Sequence, residues 1–255
     1  MNKRALLALA AIAVAGWVLP ANAEMQCRAG RELLDVGNPL EIARTAVADE
    51  HELRVVALGS SSTQGYGASD PRFSYPAQLK IRLEAAMPGV DIHVWNKGIG
   101  GQDADEMTAR MKSDVKPEKA QIVVWQVGTN SAIRHTPLKQ FADRLRAGID
   151  IGHSLGANFV LMNLQYVPAV VALPDEEEYA RVMSDVAKEK GAGLFNRFAI
   201  MRSWYDDGMP YAQFVTNDGL HLNDFGQKCI GKLLSIAILD KVKPKRLTGG
   251  PNTPH

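Results

Sequence analysis

The sequence predicts a doubly wound α/β fold. Three observations carry that prediction: short apolar runs of strand length, amphipathic stretches of helical spacing, and the alternation of one with the other along the chain. In chain order, Asn38-Pro39-Leu40-Glu41 reads first as a helix start, with Asn38 as N-cap, proline at the first helical position and Glu41 closing a capping box. Leu53 to Leu58 is the first strand-length run and stops at Gly59. Asp91 to Trp95, Ile122 to Val127 and Phe159 to Leu164 follow. Near-continuous apolar character, rather than alternation, indicates strands buried on both faces, as in a parallel sheet. After Thr136-Pro137, the residues Leu138, Phe141, Leu145 and Ile149 recur at helical spacing, and Tyr179, Val182, Met183 and Val186 share one helix face. Phe225, Cys229, Ile230, Leu233 and Leu234 mark a final helix.

The two ends of the chain read differently from its body. Lys3 and Arg4 precede an apolar run from Ala5 to Leu19, and Ala21-Asn22-Ala23 supplies the small residues of a cleavage site, so residues 1–23 are expected to be a secretory signal peptide cut after Ala23. The run is shorter than the roughly 20 residues that span a bilayer. No integral membrane association is therefore expected after cleavage, and the destination is read as the bacterial periplasm or the outside. Residues 24–243 are expected to form a single domain. Pro244, Gly249-Gly250, Pro251 and Pro254 suggest a disordered tail over 244–255, with Lys241, Lys243, Lys245 and Arg246 as a solvated basic cluster.

Composition narrows the function classes. The 255 residues carry 29 Lys+Arg against 28 Asp+Glu, and loss of Lys3 and Arg4 leaves 27 against 28. A near-neutral chain that is 46% hydrophobic has neither the apolar deficit of a disordered protein nor the basic excess of a nucleic-acid coat. Its 2 cysteines are too few for a disulfide scaffold or a structural zinc site. Cys229 on the last helix could be a buried thiol, or it could pair with Cys27 in an oxidising compartment, stabilising by on the order of 4 kcal/mol in the chain-entropy model. No His-Glu-x-x-His or comparable spacing points to a metal.

In open parallel sheets, ligands bind beyond the carboxyl ends of the strands. Gly59-Ser60-Ser61-Ser62-Thr63 follows the first run, Asn96-Lys97-Gly98-Ile99-Gly100-Gly101 the second, Gly128-Thr129-Asn130 the third, and Asp218-Gly219-Leu220-His221 precedes the last helix. A hydroxyl cluster, a glycine turn, an amide and an Asp/His pair thus fall on one edge, the inventory of acyl transfer. Taken singly, each has a plainer reading: a polar serine turn, a flexible glycine bend, a helix-start histidine. Two of the 6 histidines, His153 and His221, have an Asp three residues before them; the Asp218/His221 pair is the one read as chemistry, whereas His51, His93, His135 and His153 read as surface or helix-end residues. No Gly-x-Ser-x-Gly elbow surrounds Ser61, which disfavours the α/β-hydrolases, and Ser113-Asp114-Val115-Lys116 lacks the partner motifs of a Ser-x-x-Lys enzyme.

In order and content, these four blocks resemble those of the GDSL esterases, or SGNH hydrolases, and they span Gly59 to His221. The resemblance implies a three-layer α/β/α, flavodoxin-like fold with a mostly parallel sheet. It also implies Ser61 as nucleophile, His221 as base, Asp218 as its orienter, and an oxyanion hole from the N–H groups of Ser61 and Gly101 and the Asn130 amide. The residue types suit those tasks: a serine hydroxyl needs a neutral imidazole to take its proton, and a carboxylate fixes the imidazole tautomer. Glycine lets backbone N–H groups approach a substrate oxygen, and an amide donates without changing charge. Ser60 and Ser131 depart from the family, which often has Asp at both positions, and this bears on loop hydrogen bonding more than on the reaction.

The expected activity is hydrolysis of small acyl, acetyl-type esters, including O-acylated carbohydrates, with no cofactor, no metal and no nucleic-acid partner. A lysophospholipase or thioesterase of the same family is the enzymatic alternative, and a glycan-binding module on a degenerate hydrolase scaffold is the non-enzymatic one. Tyr66, Phe73, Tyr75, Tyr166 and Trp204 are candidates to line a shallow site or to pack in the core.

Overall fold

The structure, a computed structural model, describes residues 27–243. The expected signal peptide and the tail lie outside the described residues. Five strands, β1 (Glu52–Gly59), β2 (Asp91–Gly98), β3 (Ile122–Gln126), β4 (Asn158–Met162) and β5 (Gly193–Phe195), form one all-parallel sheet in the order β2-β1-β3-β4-β5. The central strands are the apolar runs: every residue of β3 is buried, as are Val55 to Gly59 of β1 and Phe159 to Met162 of β4. β2 is an edge strand and half exposed, so it tolerates Asp91, His93, Asn96 and Lys97. β5 has only three residues, too short for an apolar run to register in the sequence.

Helices cover both faces. Helix α1 (Tyr75–Ala86) packs beside α6 (Asp224–Val242) on one face. The other face carries α2 (Ala104–Val115), α3 (Leu138–Ser154) and α4 (Glu176–Glu189), packed in that order, while α5 (Arg197–Asp206) follows β5. The predicted spacing in α3 is realised, with Phe141, Leu145 and Ile149 buried one turn apart, and in α4 Tyr179, Met183 and Val186 do the same. The result is the expected three-layer α/β/α arrangement.

Some expectations need correction. Asn38 is not an N-cap. Its Oδ1 accepts the N–H of Leu40 at 2.9 Å and its Nδ2 donates to Gly191 O at 2.7 Å, and the helix begins later, at Glu41. An asparagine that can close a local turn competes with capping, and here the turn wins. Lys241 is no part of a solvated tail either: it lies in α6 and pairs with Asp35 at 2.8 Å. The two cysteines form a disulfide, Cys27–Cys229, with Cα atoms 5.1 Å apart, tying the start of the described chain to α6 across 202 residues. Among the described residues, no helix is long and apolar enough to cross a membrane.

Candidate active site

The connection from β1 runs outward to β2 on one side, and that from β3 runs to β4 on the other. Their carboxyl ends therefore flank the point where the sheet's winding reverses, and a crevice opens there. The serine and asparagine blocks sit on these two ends, and the glycine block follows β2 beside them. β1 stops at Gly59 and the chain turns at once into a one-turn helix, Ser61–Gln64, which places Ser61 at its first position. No intrahelical acceptor exists for an N–H there. β3 runs into another short helix, Thr129–Ile133, which carries Asn130. The fourth block is a tight loop. Thr216 N–H donates to His221 O at 2.8 Å, Gly219 N–H to Thr216 O at 3.0 Å, and a Val215–Leu222 bridge pins its ends just before Asn223 caps α6.

The structure brings Ser61, His221 and Asp218 into one chain of hydrogen bonds. His221 Nδ1 lies 2.6 Å from Asp218 Oδ2, and His221 Nε2 lies 2.9 Å from Ser61 Oγ. An ionised carboxylate can only accept, so Nδ1 holds the ring proton and Nε2 is left to receive the serine's. Asp218 is firmly held: its Oδ1 accepts from Thr216 Oγ1 at 2.6 Å and from the N–H groups of Leu220 and His221, both at 2.9 Å. Partial burial alone would raise this carboxyl, but the bonds from Thr216, His221 and Leu220 outweigh it and hold Asp218 well below the usual carboxylate range.

The turn bearing Gly101 and the helix bearing Asn130 are joined through neighbouring residues. Gly101 has φ +80°, a left-handed conformation that a side chain disfavours, so the turn itself asks for glycine. Asn130 Nδ2 donates to Gln102 O at 2.8 Å, which commits one of its two amide protons to the loop and leaves the other for a ligand. Arg134, one turn past Asn130, donates to Gly101 O at 2.7 Å and pairs with Asp103 at 2.6 Å and Glu106 at 3.2 Å. Asp103 and Glu106 form the capping box that starts α2. The glycine turn and the asparagine helix are thereby locked to each other.

Several residues that build the site carry no sequence signal. Arg110 on α2 donates to Gly59 O and Lys97 O, both at 2.9 Å, clamping the ends of β1 and β2. Ser60 is buried, and its N–H and hydroxyl both donate to Gln126 Oε1, at 3.0 and 3.1 Å, so the serine in place of the family's Asp anchors the loop to β3. The Ser131 hydroxyl, in the other departing position, is buried without a partner.

Arg197 is fully buried and bonds only to uncharged acceptors: Asn163 O at 3.0 Å, Ser62 Oγ at 2.7 Å and Gln165 Oε1 at 2.7 Å. Burial pushes its guanidinium down to about 10, so it stays charged at neutrality. Gln165 in turn accepts from Thr129 Oγ1 at 3.1 Å and donates to Leu220 O at 3.1 Å. A single cation thus reaches the serine, asparagine and histidine blocks.

Of the aromatic candidates, Tyr75 and Trp204 belong to the core, being 0% and 2% exposed. Tyr75 bonds Thr63 Oγ1 at 2.9 Å, and burial pushes its hydroxyl up to about 12. Tyr166 is half-buried among Phe198, Tyr205 and Tyr211, Phe73 is partly exposed, and Tyr66 lies against His221.

A model of the non-GDSL lipase-like family matches residues 26–244. An acetylxylan esterase of Geobacillus stearothermophilus is 26% identical over 65% of this chain and 75% of its own length. An arylesterase of Vibrio mimicus is 22% identical over 74% and 90%, respectively. Among solved structures, a two-domain esterase active on acetylated mannans superposes with a TM-score of 0.67 at 18% identity, covering 87% of this chain and 58% of that one.

Proposed function

We propose, for a chain that belongs to the non-GDSL lipase-like family and is a carboxylic ester hydrolase of the SGNH type, that it cleaves short acyl esters through Ser61, His221 and Asp218. The observation that carries this reading is the unbroken Ser61–His221–Asp218 chain at 2.9 and 2.6 Å. His221 Nε2 takes the Ser61 proton as Oγ bonds to the ester carbon. The carbonyl oxygen, now negative, is met by the N–H groups of Ser61 and Gly101 and the free amide proton of Asn130. The tetrahedral species collapses, the alcohol leaves with the proton from His221, and water repeats the sequence in reverse to free Ser61. Asp218, held ionised, stabilises the imidazolium in both halves.

An acetylated carbohydrate is the substrate class we favour. The names of the acetylxylan and acetylated-mannan esterases support it, as does the site's setting. Among the described residues, exposed apolar side chains near the blocks include Tyr66, Phe73, Ile99 and Ile133, from short segments, with no long inserted element to house a fatty chain. The apolar N-terminal segment and the Cys27–Cys229 disulfide support export to the periplasm or beyond, where such bonds persist.

A fluorophosphonate probe and an acyl-chain series test the reading together. Wild type should be labelled and Ser61→Ala should not, and acetyl esters should turn over faster than palmitoyl esters. Equal labelling of the two proteins would displace Ser61 as the nucleophile, and a preference for palmitoyl would replace the acetyl-ester reading with a lipase.

A further inference from the structure

Tyr66 is the most exposed large apolar side chain among the described residues, at 61%, and its ring centre lies 4.4 Å from that of His221. Its backbone is fixed from the site itself: the N–H groups of Gly65 and Tyr66 both donate to Ser61 O, at 3.0 and 2.9 Å. Gly65 and Gly67 on either side have φ of +95° and +92°. A Cβ on Gly67 would stand 2.6 Å from Leu222 O and 3.0 Å from His221 Cβ, so the histidine loop packs directly on this bend. Two left-handed residues around an aromatic ring are a specific way to hold it out over the base rather than let it fold into the core.

Serine ester chemistry says which part of a substrate must come here. When the tetrahedral species collapses, the bond from the former carbonyl carbon to the alcohol oxygen breaks, and that oxygen takes the proton from His221 Nε2. The alcohol oxygen must therefore lie within about 2.6–3.2 Å of Nε2. The carbonyl oxygen points instead at Gly101 and Asn130. The skeleton of the leaving alcohol consequently lies beside the histidine ring, where Tyr66 presents its surface, while the acyl group takes the remaining side. We infer that Tyr66 is a specificity-determining residue for the alcohol half of the ester, its exposed ring packing against the flat C–H face of a pyranose that carries the acyl group. The inference rests on the Ser61 esterase reading and adds to it the subsite that selects a ring-bearing alcohol.

Two esters with one acyl group separate the contribution of Tyr66 from everything else: an O-acetylated methyl pyranoside and ethyl acetate. In Tyr66→Ala, the ratio of kcat/KM for the pyranoside to that for ethyl acetate should fall about three- to tenfold, the range of one aromatic contact. Tyr66→Phe should keep the wild-type ratio, because the ring and not the hydroxyl makes the contact. Equal losses on both esters would show that Tyr66 only steadies His221 and would overturn the inference, as would an unchanged ratio in Tyr66→Ala or a Tyr66→Phe that behaves like Tyr66→Ala. Failure of the underlying esterase reading looks different: wild type inert on both esters, or Ser61→Ala as active as wild type, would overturn both together.

Discussion

Asn130→Ala removes two things that the structure separates. One amide proton is bonded to Gln102 O at 2.8 Å, and in the proposed mechanism the other meets the substrate oxygen. Negative charge develops on that oxygen only as the tetrahedral state forms, so the second proton acts on the transition state and its loss should lower kcat about 10²–10³-fold with little change in KM. The first proton acts on the fold. Losing one half-buried hydrogen bond costs about 1 kcal/mol, or about 2–4 °C in Tm for a domain of this size. Asn130→Asp sharpens the test, because a carboxylate of the same shape would face both the Gln102 carbonyl and the developing oxyanion. It should turn over more slowly than Asn130→Ala. Measuring kcat, KM and Tm on all three proteins decides the matter. A destabilised Asn130→Ala with wild-type kcat would refute the oxyanion assignment and leave Asn130 as a loop tie alone.

Two further outcomes are expected. Asp218 has a folded-state pKa held low, so its contribution to stability is complete above the unfolded value near about 3.9 and is lost as pH falls toward the depressed one. The Tm advantage of wild type over Asp218→Asn should accordingly shrink as pH falls below about 4, and an advantage that kept growing below that pH would contradict the bonding described for this carboxylate. The Cys27–Cys229 bridge spans 202 residues, for which the chain-entropy model gives about 5 kcal/mol. Replacing both cysteines with serine should lower Tm by about 10 °C or more, and two free thiols in denatured, unreduced protein would show that the bridge does not form.

The central sheet was legible in the sequence because β1, β3 and β4 are buried on both faces and so read as unbroken apolar runs. β5 escaped notice because three residues carry no period. The Ser61, His221 and Asp218 blocks that meet in the candidate site were legible too, since each sits directly after a strand or before a helix in a short block of fixed spacing. What supports them was not. Arg110, Arg134 and Arg197 act on groups 51, 33 and 135 residues away in the chain, and nothing local distinguishes such an arginine from a surface one. The two departures from the family pattern show the same limit from the other side. Ser60 could be seen to replace an Asp, but only the fold shows that Gln126 is its partner and that the Ser131 hydroxyl has none.

Arg197 also bears on how the site moves. Its guanidinium stays charged in the interior and is bonded to the carbonyl of Asn163, the hydroxyl of Ser62 and the amide oxygen of Gln165, with no carboxylate paired to it among the described residues. Each acceptor lost from a buried charge carries a desolvation cost. If the serine turn fluctuated away, the cation would be left short of a partner, and the same holds for the segment bearing Gln165, which also carries the contacts to Thr129 and Leu220. Their local opening is expected to be coupled, and amide hydrogen exchange would show it as shared protection of Ser62, Gln165 and Leu220; independent fast exchange at any one of them would refute the coupling. Loops at the ends of a parallel sheet are usually its most yielding parts, and here one desolvated cation ties them to one another.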